Sequence, residues 1–391
     1  MKILVLLSRV PFPLEKGDKL RAYHQLRVLS QEHEIYLVAL SDSPVHPQAV
    51  ETLSQFCKEV HILKISRCAR MWNLFRAFVT GKPLQCGYFY NSRANRRFRE
   101  FVDRIKPNHI YCQLVRVIDY VKGIDIPKTL DYQDVLSKGM LRRKELAAFY
   151  KKPLFAMEYR RLCRYEKMAM TLFDNCTIIT AVDRDLIPHD DKKSIQVIPN
   201  GVELEQFACQ DKAKEYDLIF AGNMNYAPNI DAADYLVKQI LPLLKNDFPT
   251  IKLAICGATP SARVKALASE NVTVTGWVDS MSEYYAKSKI FIAPMRLGTG
   301  LQNKLLEAMA TKLPCITSPL AGRPLENARD GKELLICNSE QDYADAVKML
   351  MTDAEKYNQL SDAGYEFVRQ NYNWENTTQK LSEIISKSGQ I

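Results

Sequence analysis

Between positions 298 and 310 the chain reads Gly-Thr-Gly-Leu-Gln-Asn-Lys-Leu-Leu-Glu-Ala-Met-Ala, bringing together a glycine turn, a helix start, a cation and a carboxylate. Gly298 and Gly300 let the backbone turn sharply and come close to a ligand. The N–H groups of a helix that begins there have no partners of their own, and with the helix dipole they favour an anion. Leu301, Leu305, Ala308 and Met309 fall at helical spacing, so Asn303, Lys304 and Glu307 project from the opposite arc. Two readings fit: a phosphate seat with Lys304 as its cation, or a capped core helix with an i,i+3 ion pair between Lys304 and Glu307.

The elements around this stretch favour the first reading. Just before it, at 290–294, Ile-Phe-Ile-Ala-Pro has the character of a buried parallel strand. Similar runs at 217–221, 252–256, 272–275, 290–293, 315–317 and 334–337 alternate with helical patterns, which predicts a parallel sheet with helical crossovers. Polar or glycine turns follow these strands, at Gly222 and Asn223, at Gly257, at Gly276 and Trp277, at 298–303 and at 318–322. Several such turns along one sheet edge describe the wall of a ligand cleft.

The first half has the same logic. Strands are predicted at 2–7, 35–40, 62–65, 110–112, 129–130, 177–180 and 196–198, with a helix over 18–30, the start of a doubly wound α/β unit. The loop at 11–18 stands beyond the carboxyl end of the first strand, where such sheets bind ligands, but lacks the three-glycine spacing of a dinucleotide fingerprint. Residues 137–173 read as long, very basic helices, and the chain is helical after position 341.

At 391 residues the chain exceeds what one core supports, so two domains of similar size are expected. Its ten cysteines include no Cys-x-x-Cys pair, which argues for reduced thiols in a cytoplasm and against zinc or a disulfide framework. The apolar run at 3–7 is too short for a signal peptide or a membrane span. Charge is unevenly spread, with a net of +13 over positions 1–200 and −4 over the remainder. Between Glu59 and Glu100 lie Lys64, Arg67, Arg70, Arg76, Lys82, Arg93, Arg96, Arg97 and Arg99 without one acidic residue, interleaved with aromatics such as Trp72, Phe75 and Phe78. Either 70–78 is a short amphipathic helix on an anionic membrane, or the charge draws an acidic acceptor, or this is a plain solvated face. No nucleic-acid motif accompanies it, and no nucleic-acid partner is expected.

Four motifs together carry a family resemblance: Ile-Pro-Asn-Gly-Val-Glu at 198–203, Phe-Ala-Gly-Asn-Met-Asn-Tyr-Ala-Pro-Asn at 220–229, Gly-Trp-Val-Asp at 276–279, and 298–310. With them the chain resembles family-4 glycosyltransferases of the GT-B type, and more closely the sugar transferases of bacterial exopolysaccharide systems, which share the Pro-rich start ending in Gly17 and Asp18. The likeness covers essentially the whole chain, more weakly over 40–170. It implies an α/β fold of two Rossmann-like, doubly wound parallel-sheet domains facing a central cleft: an acceptor domain at 1–195, a nucleotide-sugar domain at 196–372, and a helix at 373–391 packing back on the first.

The resemblance also implies roles. Glu307 matches the second glutamate of the family's Glu-x7-Glu pattern, which hydrogen-bonds the nucleotide ribose; the first is replaced by Thr299, which leaves the sugar open. The backbone of Gly300, Leu301 and Gln302 would hold the distal phosphate and sugar, Trp277 and Val278 would meet the base, and Gly17 would approach the donor phosphates. Gly222, Asn223, Gly257 and Asn303 complete the donor-binding set. Relatives carry an Arg and a Lys soon after the glycine equivalent to Gly222; here 223–229 holds no cation, so Lys304 is the replacement, with Arg296 and Arg323 in reserve. Where relatives have His-Asp, this chain reads Leu-Asp-Tyr-Gln-Asp at 130–134, and Asp134 either orients or deprotonates the acceptor or caps a helix. Arg21 and His24 are read as structural or acceptor-side. Asp183 and Asp185 have metal-motif spacing but are expected to start a helix, so neither metal nor cofactor is expected.

The expected function is a retaining, metal-independent hexosyltransferase, moving sugar from a nucleoside diphosphate donor to a glycan or lipid-linked acceptor in cell-surface polysaccharide synthesis. Lys304, Glu307 and Asp134 are its expected catalytic side chains. The expected place is the cytoplasm, including the inner membrane face. A nucleotide-sugar epimerase and a non-catalytic GT-B scaffold are the alternatives.

Overall fold

The structure is a computed structural model that describes residues 1–207, 212–298 and 300–388. The chain forms two compact units, Met1–Pro199 with Thr377–Ile391, and Asn200–Asn376. Thr299 lies outside the described residues.

The first unit is built on β1 (Lys2–Leu7), β2 (Glu34–Ser41), β3 (Glu59–Lys64), β4 (His109–Gln113), β5 (Lys128–Asp131), β6 (Asn175–Ile178) and β7 (Gln196–Val197), in the order β3-β2-β1-β4-β5-β6-β7. Every pairing is parallel. Both faces are covered, as the alternation along β1 requires: Leu4 and Leu6 enter one apolar core, Ile3, Val5 and Leu7 the other. The second of these cores is completed by Leu381, Ile384 and Ile385 of the Trp374–Ser388 helix. Each such side chain contributes about 1.5–3 kcal/mol by leaving water.

The second unit contains β8 (Tyr216–Ala221), β9 (Leu253–Cys256), β10 (Val272–Gly276), β11 (Ser288–Ala293), β12 (Cys315–Thr317) and β13 (Leu335–Ile336). They run parallel in the order β10-β9-β8-β11-β12-β13. The order reverses between β8 and β11, and a sheet of this kind opens a crevice at such a switch point, outside the carboxyl ends. The helices that follow those two strands, Ala227–Tyr235 and Asn303–Ala310, flank that point.

Two local expectations change. The helix of the glycine turn starts at Asn303, beyond Leu301, because Gly300 has φ +73° and Gln302 is extended. The amphipathic segment expected at 70–78 is a longer helix, Arg67–Val79, capped by the Ser66 hydroxyl. Among the described residues no helix is long and apolar enough to cross a membrane.

Candidate functional site

At the carboxyl edge of the second sheet, three strands end in glycines at positive φ: Gly222 at +151°, Gly257 at +142° and Gly276 at +74°. Their spacing is forced by contact. A Cβ on Gly257 would lie 1.7 Å from the Gly222 carbonyl oxygen, and one on Gly222 would lie 2.6 Å from Asn229 Nδ2. The Gly257 N–H donates to the Gly276 carbonyl at 3.1 Å, and the Gly222 N–H to that of Cys256 at 3.0 Å. With no side chains in the way, the backbone itself forms this edge. Asn223 fixes the turn above it, its Oδ1 accepting from the Asn225 N–H at 2.9 Å and the Thr259 hydroxyl at 3.1 Å.

Lys304 reaches this edge from the Asn303–Ala310 helix. Its Nζ donates to Asn229 Oδ1 at 2.6 Å, lies over the Phe220 ring at 4.7 Å and touches Met295 Sδ at 3.7 Å. Asn229 in turn donates from Nδ2 to the Asn223 carbonyl at 3.0 Å, so the amine, the amide and the β8 turn form one chain of bonds. The enclosure disfavours the charged amine and pushes its pKa down to about 7, an effect that Glu307 partly opposes. Glu307 is held by the buried Tyr285, whose hydroxyl donates to Oε2 at 2.9 Å. Burial raises the Glu307 carboxyl above its usual range, while the Tyr285 bond and Lys304 pull the other way. The i,i+3 ion pair is therefore not what these side chains make: each has a different hydrogen-bond partner. Both are half-buried against other side chains instead of lying on a fully solvated arc.

Asn303, expected at the donor, has its Oδ1 3.2 Å from Asn200 Nδ2 of the Ile-Pro-Asn-Gly motif, so it braces that motif against the helix start. No side chain caps the first turn of this helix. Trp277 is 70% exposed at the end of β10, and Val278 follows it half-buried. Of the reserve cations, Arg296 is held by Asp231 at 2.8 Å and stacks on Tyr235 at 4.2 Å, and Arg323 is exposed.

The first unit has its own polar centre. Arg21 and Asp131, both fully buried, pair through Nε and Oδ2 at 2.6 Å and through a second bond at 3.2 Å. Tyr111 donates to the same carboxylate at 3.2 Å and Thr177 at 3.1 Å. A buried pair holds only with its remaining oxygens satisfied in this way. Three residues on, Asp134 is exposed; its Oδ1 accepts from the Val135 N–H at 2.7 Å. It is not the cap of the Leu136–Leu146 helix, which begins after Val135 without a side-chain cap. Gln133, at φ +59°, is buried with Nε2 unbonded. Gly17 opens the Gly17–Leu29 helix with no atom within 4 Å of where a Cβ would stand. A pocket of about 610 Å³ adjoins the loop after β1. Thr180 caps the Ala181–Arg184 helix, its hydroxyl accepting from the Asp183 N–H at 3.0 Å and donating to the Asp183 carboxylate at 2.6 Å; burial raises that carboxyl to about 6, and Asp185 pairs with Lys193 at 2.7 Å.

Residues 215–353 match the family described as glycosyl transferases group 1. That match lies within the second unit. The chain is 22% identical to an uncharacterized 44.6 kDa protein in the cps region of Klebsiella pneumoniae, over 95% of this chain and 96% of that one. It is 26% identical, over 49% of this chain and 56% of the relative, to a GDP-mannose-dependent alpha-(1-6)-phosphatidylinositol monomannoside mannosyltransferase of Mycobacterium tuberculosis. Among solved structures, Anabaena HepE in complex with UDP superposes with a TM-score of 0.69 at 12% identity, covering 99% of this chain and 100% of that one. The chain has the GT-B fold of two Rossmann-like domains.

Within the matched region, Gly222, Asn223 and Lys304 are linked at the end of β8 through Asn229, Gly257 packs against Gly222 from the end of β9, and Glu307 stands on the Lys304 helix, bonded to Tyr285. Gly17 and Asp134 belong to the other unit. Two residues of the site escaped the sequence reading: Asn229, which receives Lys304, and Tyr285, which holds Glu307. Asn229 ends the motif at 220–229, and its amide beside a cation-free turn is the available signal. Nothing in the local sequence marks Tyr285.

Proposed function

We propose that the chain transfers a hexose, with retention, from a nucleoside diphosphate sugar to a hydroxyl of a glycan or lipid-linked acceptor, without a metal ion. The observation that carries this is the chain of bonds from Lys304 through Asn229 to the glycine edge, with Glu307 one helical turn away. The diphosphate lies against the backbone of Gly222, Gly257 and 300–302, where its charge meets the Lys304 amine and the uncapped helix start. Glu307, oriented by Tyr285, accepts from the ribose hydroxyls. The base rests at Trp277 and Val278. Thr299 is the proposed sugar-facing position.

In the transfer itself the bond from sugar C1 to the phosphate oxygen breaks, and the acceptor oxygen bonds C1 on the same face. The leaving phosphate takes the acceptor proton. The protein contributes position and charge stabilisation, with Asp134 proposed to orient the acceptor from the first unit. The UDP in HepE, the GDP-mannose in the mycobacterial enzyme's name and the cps region of the Klebsiella relative support a donor of this class and a role in surface polysaccharide synthesis. We place this work at the cytoplasmic face of the membrane.

A thermal-shift screen against UDP- and GDP-sugars tests the reading, since a ligand of the folded state raises apparent stability. One donor is expected to raise the melting temperature and then to support transfer in the presence of a chelator. Stabilisation by none of them, or conversion of the donor to an epimer without acceptor, refutes it.

A further inference from the structure

The Arg67–Val79 helix turns its apolar side outward. Met71, Trp72 and Phe75 are exposed by 69%, 64% and 59%, and Phe78 and Val79 join them, whereas Ala77 is buried and Ala69, Asn73 and Leu74 are half-buried. At about 100° per residue the exposed apolar positions form a stripe about 120° wide, with Arg67 and Arg76 on its two borders. The helix is held in that orientation. Gly87 approaches so closely that a Cβ there would stand 2.2 Å from that of Ala77. Arg161 donates to the carbonyls of Ala77, Lys82 and Phe78 at 3.3, 3.1 and 3.0 Å, and Arg70 to the Tyr88 hydroxyl at 2.6 Å. The stripe is thus a fixed surface of the first unit.

Beside the Arg76 border is a pocket of about 410 Å³ whose lining includes Lys64, Arg76, Arg93, Arg96 and Arg97. Among the described residues, Lys64, Arg76, Arg93 and Arg97 have no carboxylate partner, and Arg96 reaches Glu100 only at 3.9 Å. The Asn73 amide nitrogen, also in the lining, is buried without an acceptor. Four unpaired cations and an idle donor around one pocket call for a multivalent oxyanion. An apolar stripe bordered by arginines, next to such a pocket, matches a surface that is anionic at one depth and hydrocarbon just below it.

We propose that this face docks the protein on an anionic lipid bilayer, with Trp72, Phe75 and their neighbours entering the headgroup layer and a lipid phosphate occupying the basic pocket. Docking needs neither Lys304 nor a donor, so it stands or falls apart from the transfer reading.

The test is sedimentation of the full chain with vesicles of phosphatidylcholine alone or mixed with phosphatidylglycerol, followed also by tryptophan emission. Binding to the anionic vesicles is expected, with a blue shift that Trp72→Phe abolishes and a loss at high salt. Phe75→Ala, and Arg93→Gln combined with Arg97→Gln, are each expected to weaken it about tenfold. These positions are exposed, and circular dichroism confirms that the variants remain folded. Failure to bind at low salt, equal binding to both vesicle types, or binding unaffected by the variants overturns the proposal. So does a dimer in sedimentation velocity that Phe75→Ala dissociates while vesicles are ignored, or binding of inorganic pyrophosphate with no vesicle binding.

Discussion

The amine of Lys304 titrates near neutrality, at about 7, because its enclosure disfavours charge. Its free and donor-bound forms must then differ in protonation, since an adjacent diphosphate favours the ammonium. Above pH 7 donor binding is expected to take up a proton, and affinity to fall as pH rises through that value. Calorimetry in buffers of different ionisation enthalpy measures both. Lys304→Met should remove the proton uptake and weaken binding at least about tenfold, near 1.4 kcal/mol; unchanged binding would sink the assignment. Tyr285 sets a second pH dependence of opposite sense. Its bond favours the Glu307 carboxylate, so Tyr285→Phe should raise that carboxyl further and cost about 0.5–1.5 kcal/mol of nucleotide affinity. The loss should grow toward acid pH, where the unsupported carboxyl keeps its proton and stops accepting. A titration of UDP and GDP binding against pH for wild type and variant reads this directly.

At the scale of elements, the glycine edge is a packing constraint as well as a surface. Gly257→Ala drives a Cβ to 1.7 Å from the Gly222 carbonyl, at a φ that side chains avoid, so β8 and β9 must part at their carboxyl ends. A loss of about 1–3 kcal/mol in denaturant unfolding is expected, together with weaker donor binding. Strands such as β1 and β11 were legible because a strand covered on both faces is a short, uninterrupted apolar run. The turns after them were legible because glycine and asparagine mark them. What stayed hidden are pairings across space: Lys304 with Asn229, Glu307 with Tyr285, and Arg21 with Asp131. Helical spacing predicted which side of the Asn303–Ala310 helix faces the core, but not that the other side faces more protein. The outward turn of the Arg67–Val79 stripe was hidden for a related reason. Periodicity shows that a helix has two faces, and only the Ala77 and Gly87 contact shows which one is covered.

Across the whole molecule the two units divide both charge and chain. The positive excess lies in positions 1–200, which include the Arg67–Val79 helix, and the rest is mildly acidic. Leu381→Ala removes a buried side chain from the first unit although it lies beyond the second in sequence. A loss of about 2–5 kcal/mol is expected there. Hydrogen exchange should show faster opening of β1 and β2 with the second sheet unchanged, and equal loosening of both units would contradict the division. The same feature bears on how the protein is made. Domains usually fold in the order in which they leave the ribosome. Here the second unit can close as soon as residue 376 has emerged, whereas the first must wait for Leu381, Ile384 and Ile385 to seal the core around Ile3, Val5 and Leu7. Until those residues emerge the nascent chain therefore carries an open apolar seam along β1 and β2, and that seam is where a chaperone would be needed.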